Sequence, residues 1–163
     1  NYNFENAMAA ICTGMFFNVP IAEIKTAICN YVPSNSRSQL MKTVKNDLIL
    51  DAYNANPTSM QAAIENLRQM KAIHKMVILG DMLELGNESL TEHSSIVKLI
   101  NESNFDRAIL VGPDFKEAAR DIFTCFQTSE EAREYLKTQN ITGYTILVKG
   151  SRGIKMENVL EAL

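Results

Sequence analysis

Apolar positions in the first thirty residues recur at helical spacing. Phe4, Ala7, Met8, Ile11, Cys12 and Met15 share one face, and Ile21, Ile24, Ile28 and Tyr31 share another, which predicts two amphipathic helices. Asn3 is suited to cap the first and Pro20 to open the second. Residues 32–38 then carry a Pro, an Asn and three Ser, a loop composition that sets a boundary between residues 1–33 and 34–163. Beyond it the period changes. Short apolar runs at 40–44, 48–51, 76–79, 108–111 and 145–148 predict strands, with a weak one at 125–127, and helical patterns fall at 58–69, 91–101, 115–123, 130–138 and 156–162. Lys45-Asn46-Asp47 reads as a tight hairpin between the first two strands. The start of the 58–69 helix is marked twice, by Asn56-Pro57 as cap and first residue and by Thr58 with Gln61 as a capping box. Strands alternating with helices of this length predict an α/β fold: a mostly parallel sheet with right-handed crossovers and an N-terminal β-hairpin strand, preceded by two helices.

Each well-marked strand runs out into small or polar residues. Asp51-Ala52-Tyr53-Asn54 ends one, Gly80-Asp81 the next, Gly112-Pro113 the third and Lys149-Gly150-Ser151-Arg152-Gly153 the last. In a parallel sheet these four groups share one rim, where open α/β sheets bind their ligands. Asp51, Tyr53, Asn54 and Asn56 are therefore either a site or only the polar closure of a strand-to-helix turn. Lys149 and Arg152 around Gly150-Ser151 suit a carboxylate or phosphate, and a solvated basic loop equally. Asp81 and Glu84 can bind a cation or order a turn. His93 reads as a supporting or structural residue and His74 as an exposed one. Asn3 and Asn6 fall on one side of the first helical turn, where two carboxamides can meet a planar base edge or simply cap and solvate. Arg37, just past the boundary at residues 33–34, is placed either in solvent or to hold phosphate between two domains.

Composition narrows the partners. With 46% apolar and 21% charged residues and a net charge of −3, the chain has an ordinary globular balance and no general affinity for nucleic acid. No apolar run approaches the roughly 20 residues of a membrane span, so a cytoplasmic location is expected. Cys12, Cys29 and Cys125 are far apart among apolar neighbours, which suits reduced core thiols. The chain opens on Asn1 already at the start of a helix, as a segment of something longer would. It has no Gly-x-x-x-x-Gly-Lys-Ser/Thr loop and no Gly-x-Gly-x-x-Gly turn, so alone it is expected to hold a nucleoside triphosphate weakly at most.

Five motifs in order carry a resemblance: Asn-Phe-Glu-Asn-Ala-Met-Ala-Ala from Asn3, Asn-Ser-Arg-Ser-Gln from Asn35, Asp-Ala-Tyr-Asn-Ala-Asn-Pro-Thr-Ser-Met from Asp51, Leu-Gly-Asp-Met-Leu-Glu-Leu-Gly from Leu79 and Val-Lys-Gly-Ser-Arg-Gly from Val148. Over nearly its whole length the chain resembles the carboxyl-terminal part of the Mur ligases. The Asp-Ala-Tyr-Asn-Ala-Asn-Pro segment is most similar to members that add D-Ala-D-Ala to UDP-N-acetylmuramoyl-tripeptide. Ser36 departs from the pattern, standing where a second Asn is expected before Arg37.

The resemblance implies that residues 1–33 end a central ATP-binding domain and that 34–163 form a Rossmann-like third domain. It implies an amide ligation driven by ATP with Mg2+ through an acyl phosphate, with the phosphate loop and the magnesium ligands on upstream sequence. Carried over by motif, Asn3 and Asn6 would lie at the adenine, Arg37 at the nucleotide phosphates and Asp51 at the ribose. Tyr53, Asn54 and Asn56 would line the reacting end, and Lys149, Ser151 and Arg152 would receive the dipeptide and the peptide tail. A monomer is expected. The rivals are a folylpolyglutamate synthase-type ligase domain and a non-catalytic Rossmann-like module for a small anion.

Overall fold

The structure, a computed structural model, describes residues 3–31 and 37–163, and of Asn3 only the backbone. Most of the 32–38 loop, with Asn35 and Ser36, lies outside the described residues. The chain divides into two compact units, residues 1–33 and 34–163.

The first unit is a pair of helices, α1 (Asn3–Phe16) and α2 (Ile21–Asn30). Pro20 sits at the N-cap of α2, one position before its first turn. The turn between the helices closes with Val19 N–H donating to the Gly14 carbonyl at 2.9 Å. Among the described side chains of this pair only Ile24 is buried, whereas Phe4, Met15, Phe16, Phe17, Ile21 and Tyr31 are exposed. The thiols of Cys12 and Cys29 are exposed and that of Cys125 half-buried, which corrects the expectation of core thiols: the helical faces that carry the first two are not covered.

The second unit opens with β1 (Gln39–Lys42) and β2 (Asp47–Asp51), followed by α3 (Pro57–Gln69), β3 (His74–Gly80), α4 (Ser89–Glu102), β4 (Arg107–Val111), α5 (Pro113–Ala119), β5 (Thr124–Phe126), α6 (Ser129–Lys137) and β6 (Tyr144–Lys149). The sheet order is β1-β2-β6-β3-β4-β5, antiparallel only at the β1–β2 hairpin. The strands from β2 to β4 are buried on both sides, so alternate residues feed two cores. Ile49, Val77, Leu79, Leu110 and Leu147 pack with Met60, Ile64, Leu67, Ile96 and Phe115 from α3, α4 and α5. On the other face Leu48, Leu50, Met76, Ile78, Ile146 and Val148 pack with Leu136 of α6 and with Met156 and Val159. This is the two-sided covering that continuous apolar strands require.

Four details differ from the sequence pattern. The hairpin turn is Thr43–Asn46, not 45–47, because the Thr43 hydroxyl accepts the Lys45 and Asn46 N–H groups and closes the turn early. Helix α5 stops at Ala119 and not at residue 123, since Arg120 and Asp121 adopt left-handed conformations with φ of 45° and 65°. The capping box of α3 is Asn56 with Ser59, not Thr58 with Gln61: Asn56 Oδ1 accepts Ser59 N–H at 2.8 Å and Asn56 N–H donates to Ser59 Oγ at 3.2 Å. Thr58 already lies inside the helix, so it cannot cap it. Finally, residues 156–162 form a 3₁₀ helix. Met156 and Val159 are its buried side chains, and their spacing of three suits three residues per turn.

Candidate functional site

Parallel pairing brings the carboxyl ends of β2, β6, β3 and β4 to one rim in that order, with Asp51 opposite Lys149, Leu79 opposite Lys149 and Gly80 opposite Val111. At its centre the Lys149 ammonium donates to Asp51 Oδ2 at 2.6 Å and to the Asn54 carbonyl at 3.2 Å. Lys149 is 1% exposed. Its charge is balanced within the rim and does not face solvent. The other oxygen of Asp51 accepts the Ser38 N–H at 3.1 Å, so the carboxylate is held at both ends. Truncating one partner of such a buried pair strands the other charge, at a cost of about 3–5 kcal/mol.

After β2 the chain leaves the sheet through a set of local bonds. Asn54 Oδ1 accepts the Ala55 N–H at 2.9 Å, Ala52 and Ala55 are buried, and Asn56 is occupied in capping α3. Tyr53 projects from this turn and is partly exposed. The Arg37 guanidinium carbon lies 3.9 Å from its ring centroid and that of Arg152 5.4 Å.

The loop after β6 is tied to the loop after β3. Ser151 N–H donates to the Asp81 carbonyl at 3.1 Å, and Ser151 Oγ accepts the Leu83 N–H at 2.9 Å and donates to the Ala55 carbonyl at 3.4 Å. Gly150 permits the contact: a Cβ there would lie 3.0 Å from Gly80 Cα and 2.7 Å from Met156 Cγ. Ser151 is thus a buried tie between two loops, and Arg152 is the first residue of that loop to reach solvent.

Next along the rim, Asp81 is buried and accepts the Asp114 and Phe115 N–H groups at 3.0 and 2.8 Å. Burial pushes its carboxyl pKa up, while these two backbone bonds pull part of it back. His93 is fully buried. Its Nε2 accepts the Met82 N–H at 3.0 Å and its Nδ1 lies 2.8 Å from the Ser89 carbonyl, which fixes the proton on Nδ1. Ser89 Oγ donates to Asp114 Oδ2 at 2.7 Å. Ligand atoms of Asp81, His93 and Asp114 lie within 4.8 Å of one another. Both Asp81 oxygens and the free lone pair of His93 already accept backbone N–H groups, so the cluster braces two loops. His93 is therefore structural, and Glu84 takes the left-handed turn position with φ 67°. His74 stands at the exposed start of β3, paired with Asp106 at 3.2 Å.

The structure brings Arg37, Asp51, Tyr53, Asn54, Asn56, Lys149, Ser151 and Arg152 to one rim of the second unit. Asn3 and the exposed Asn6 belong to the first turn of α1 in the other unit. Two buried or half-buried polar residues that hold the fold carried no signal of that role in the sequence. Asp114 joins the Asp81 network only through the fold. Asn46, read as a hairpin residue, is buried at the opposite end of the sheet, where Nδ2 donates to the Ile141 and Leu163 carbonyls and Oδ1 accepts the Tyr144 N–H.

A family model described as Mur ligase, glutamate ligase domain, matches residues 36–152, most of the second unit and all of this rim. The chain belongs to the Mur ligase family. The UDP-N-acetylmuramoyl-tripeptide–D-alanyl-D-alanine ligase of Bacillus subtilis (strain 168) is 32% identical over an alignment covering 99% of this chain and 38% of the relative. The corresponding Escherichia coli (strain K12) ligase is 33% identical over 99% of this chain and 37% of its own length. A crystal structure of MurF from Acinetobacter baumannii superposes with a TM-score of 0.87 at 30% identity, over 99% of this chain and 37% of that one. This Mur ligase chain therefore spans somewhat more than a third of the relatives it matches. Among its described residues no helix is long and apolar enough to cross a membrane.

Proposed function

We propose that this chain is the carboxyl-terminal part of an ATP-dependent ligase that joins D-Ala-D-Ala to UDP-N-acetylmuramoyl-tripeptide. The observation that carries the reading is the reach of the match: 99% of the chain, including the helical pair ahead of the family domain, aligns with ligases of that name. In this reading residues 1–33 are the end of the central ATP-binding domain and 34–163 the third domain. The many exposed apolar side chains of α1 and α2 support it, since a helical pair with one buried residue suits a larger domain.

The proposed chemistry is transfer of the ATP γ-phosphoryl group to the tripeptide carboxylate, attack of the dipeptide amine on the acyl phosphate, and loss of phosphate from the tetrahedral adduct. Catalysis of this kind rests on positioning and charge neutralisation. Asn3 and Asn6 would meet adenine. Asp51, with each carboxylate oxygen held in place, would accept from the ribose hydroxyls, and Lys149 would act chiefly by holding that carboxylate. Arg37 would reach the phosphates, Tyr53, Asn54 and Asn56 would line the reacting end, and Ser151 would shape the place of the dipeptide. Mg2+ would neutralise phosphate charge, and its ligands are assigned to upstream residues, as the family resemblance implies. The setting is a cytoplasmic, monomeric enzyme that closes its domains over the substrates.

Asp51→Ala in the full-length ligase tests the reading. The Michaelis constant for ATP is expected to rise about tenfold and that for D-Ala-D-Ala less than about twofold. The reverse pattern would overturn the ribose assignment, and an enzyme that releases no ADP on addition of tripeptide and dipeptide would overturn the ligase reading.

A further inference from the structure

Two cations meet one aromatic ring at this rim. The guanidinium carbons of Arg37 and Arg152 lie 3.9 and 5.4 Å from the Tyr53 centroid, although the two residues are far apart in sequence. Neither forms an ion pair with a carboxylate among the described residues. The carboxylate that ends the neighbouring strand, Asp51, is already neutralised by Lys149. Like charges gathered on one ring repel each other, and the negative face of the ring offsets part of that repulsion. What remains is a pair of guanidinium forks without a counter-ion beside a buried, neutral pair. Such forks match the oxygens of a phosphoryl group in a way a single ammonium does not.

We propose that Tyr53 is a positioning residue whose ring, and not its hydroxyl, gathers Arg37 and Arg152 into one clamp for a phosphoryl group. The family resemblance assigns the two arginines to different ligands, Arg37 to nucleotide phosphate and Arg152 to peptide. The geometry assigns them to the same one. The inference deepens the ligase reading and rests on it only for the source of the phosphoryl group, which would be ATP.

The test is an NMR titration of the 163-residue chain with inorganic pyrophosphate, following the Nε–H resonances of Arg37 and Arg152, with D-Ala-D-Ala as a parallel arm. Both resonances are expected to move on one binding curve with pyrophosphate. Arg37→Ala or Arg152→Ala should each weaken that curve at least about fivefold. Tyr53→Leu should weaken it about threefold or more, while Tyr53→Phe stays within about twofold of the parent. Because Tyr53 is partly exposed, its variants are expected to fold, and unchanged melting confirms it. Separate curves for the two arginines, no movement at all, a Leu variant that binds like the parent, a Phe variant as weak as Leu, or a response to the dipeptide alone would each overturn the clamp. If the clamp binds pyrophosphate as described while the full-length protein ligates nothing, the clamp stands and the ligase reading falls.

Discussion

Single side chains on this rim are held by partners distant in sequence, and Gly112 shows how little room they leave. Its φ is 122°, a conformation L side chains rarely adopt, and a Cβ there would fall 2.1 Å from Asp81 Oδ2. The carboxylate cannot step aside without releasing the Asp114 and Phe115 N–H groups. Gly112→Ala is therefore expected to cost about 3 kcal/mol and lower the melting temperature by roughly 10 °C, read by calorimetry. Such crowding is invisible in the sequence, where Gly112-Pro113 is an ordinary strand end. The same holds for the network of Asp81, His93 and Asp114: the three residues come together only once β3 and β4 are paired and α4 and α5 are laid on the same face. The sequence nonetheless marked Asp51 and Lys149 as strand-end residues of the same rim. What it could not show is that they face each other, because that depends on β6 inserting between β2 and β3.

Among the elements, α3 depends most visibly on one residue. Asn56 makes the reciprocal cap with Ser59 and also ends the turn that carries Tyr53, so the start of the helix and the edge of the site share an anchor. Asn56→Ala is expected to cost about 1 kcal/mol in urea unfolding, with Asn56→Asp recovering most of it at neutral pH. Apolar periodicity located the helices and strands of the sheet well, because the strands are continuous apolar runs and the helices have distinct buried faces. It misplaced ends where local polar bonds override the period. Ile122 and Phe123 continue the apolar spacing of α5, yet the left-handed Arg120 and Asp121 end the helix. Thr58 and Gln61 have capping-box spacing, yet Asn56 is a better acceptor two residues earlier.

At the scale of the molecule, the buried members of both cores among the described residues all come from residues 48–163. Removing residues 1–33 is therefore expected to shift the melting temperature of the remainder by less than about 3 °C, since no member of either core is lost. A larger shift in a differential scan would show that the helical pair carries stability for the sheet. The sheet itself faces a different hazard, misassembly. Four of its strands, β2, β6, β3 and β4, are nearly continuous apolar runs, and a slip of two residues between β2 and β6 would keep every side chain on its proper face. Hydrophobic alternation cannot detect that error. The ion pair can, because only the observed pairing sets Asp51 opposite Lys149, and a slipped sheet would enclose an ammonium with no counter-charge. The contact that shapes the rim for a ligand thus also proofreads the folding of the sheet, admitting one alignment from several that are equally greasy.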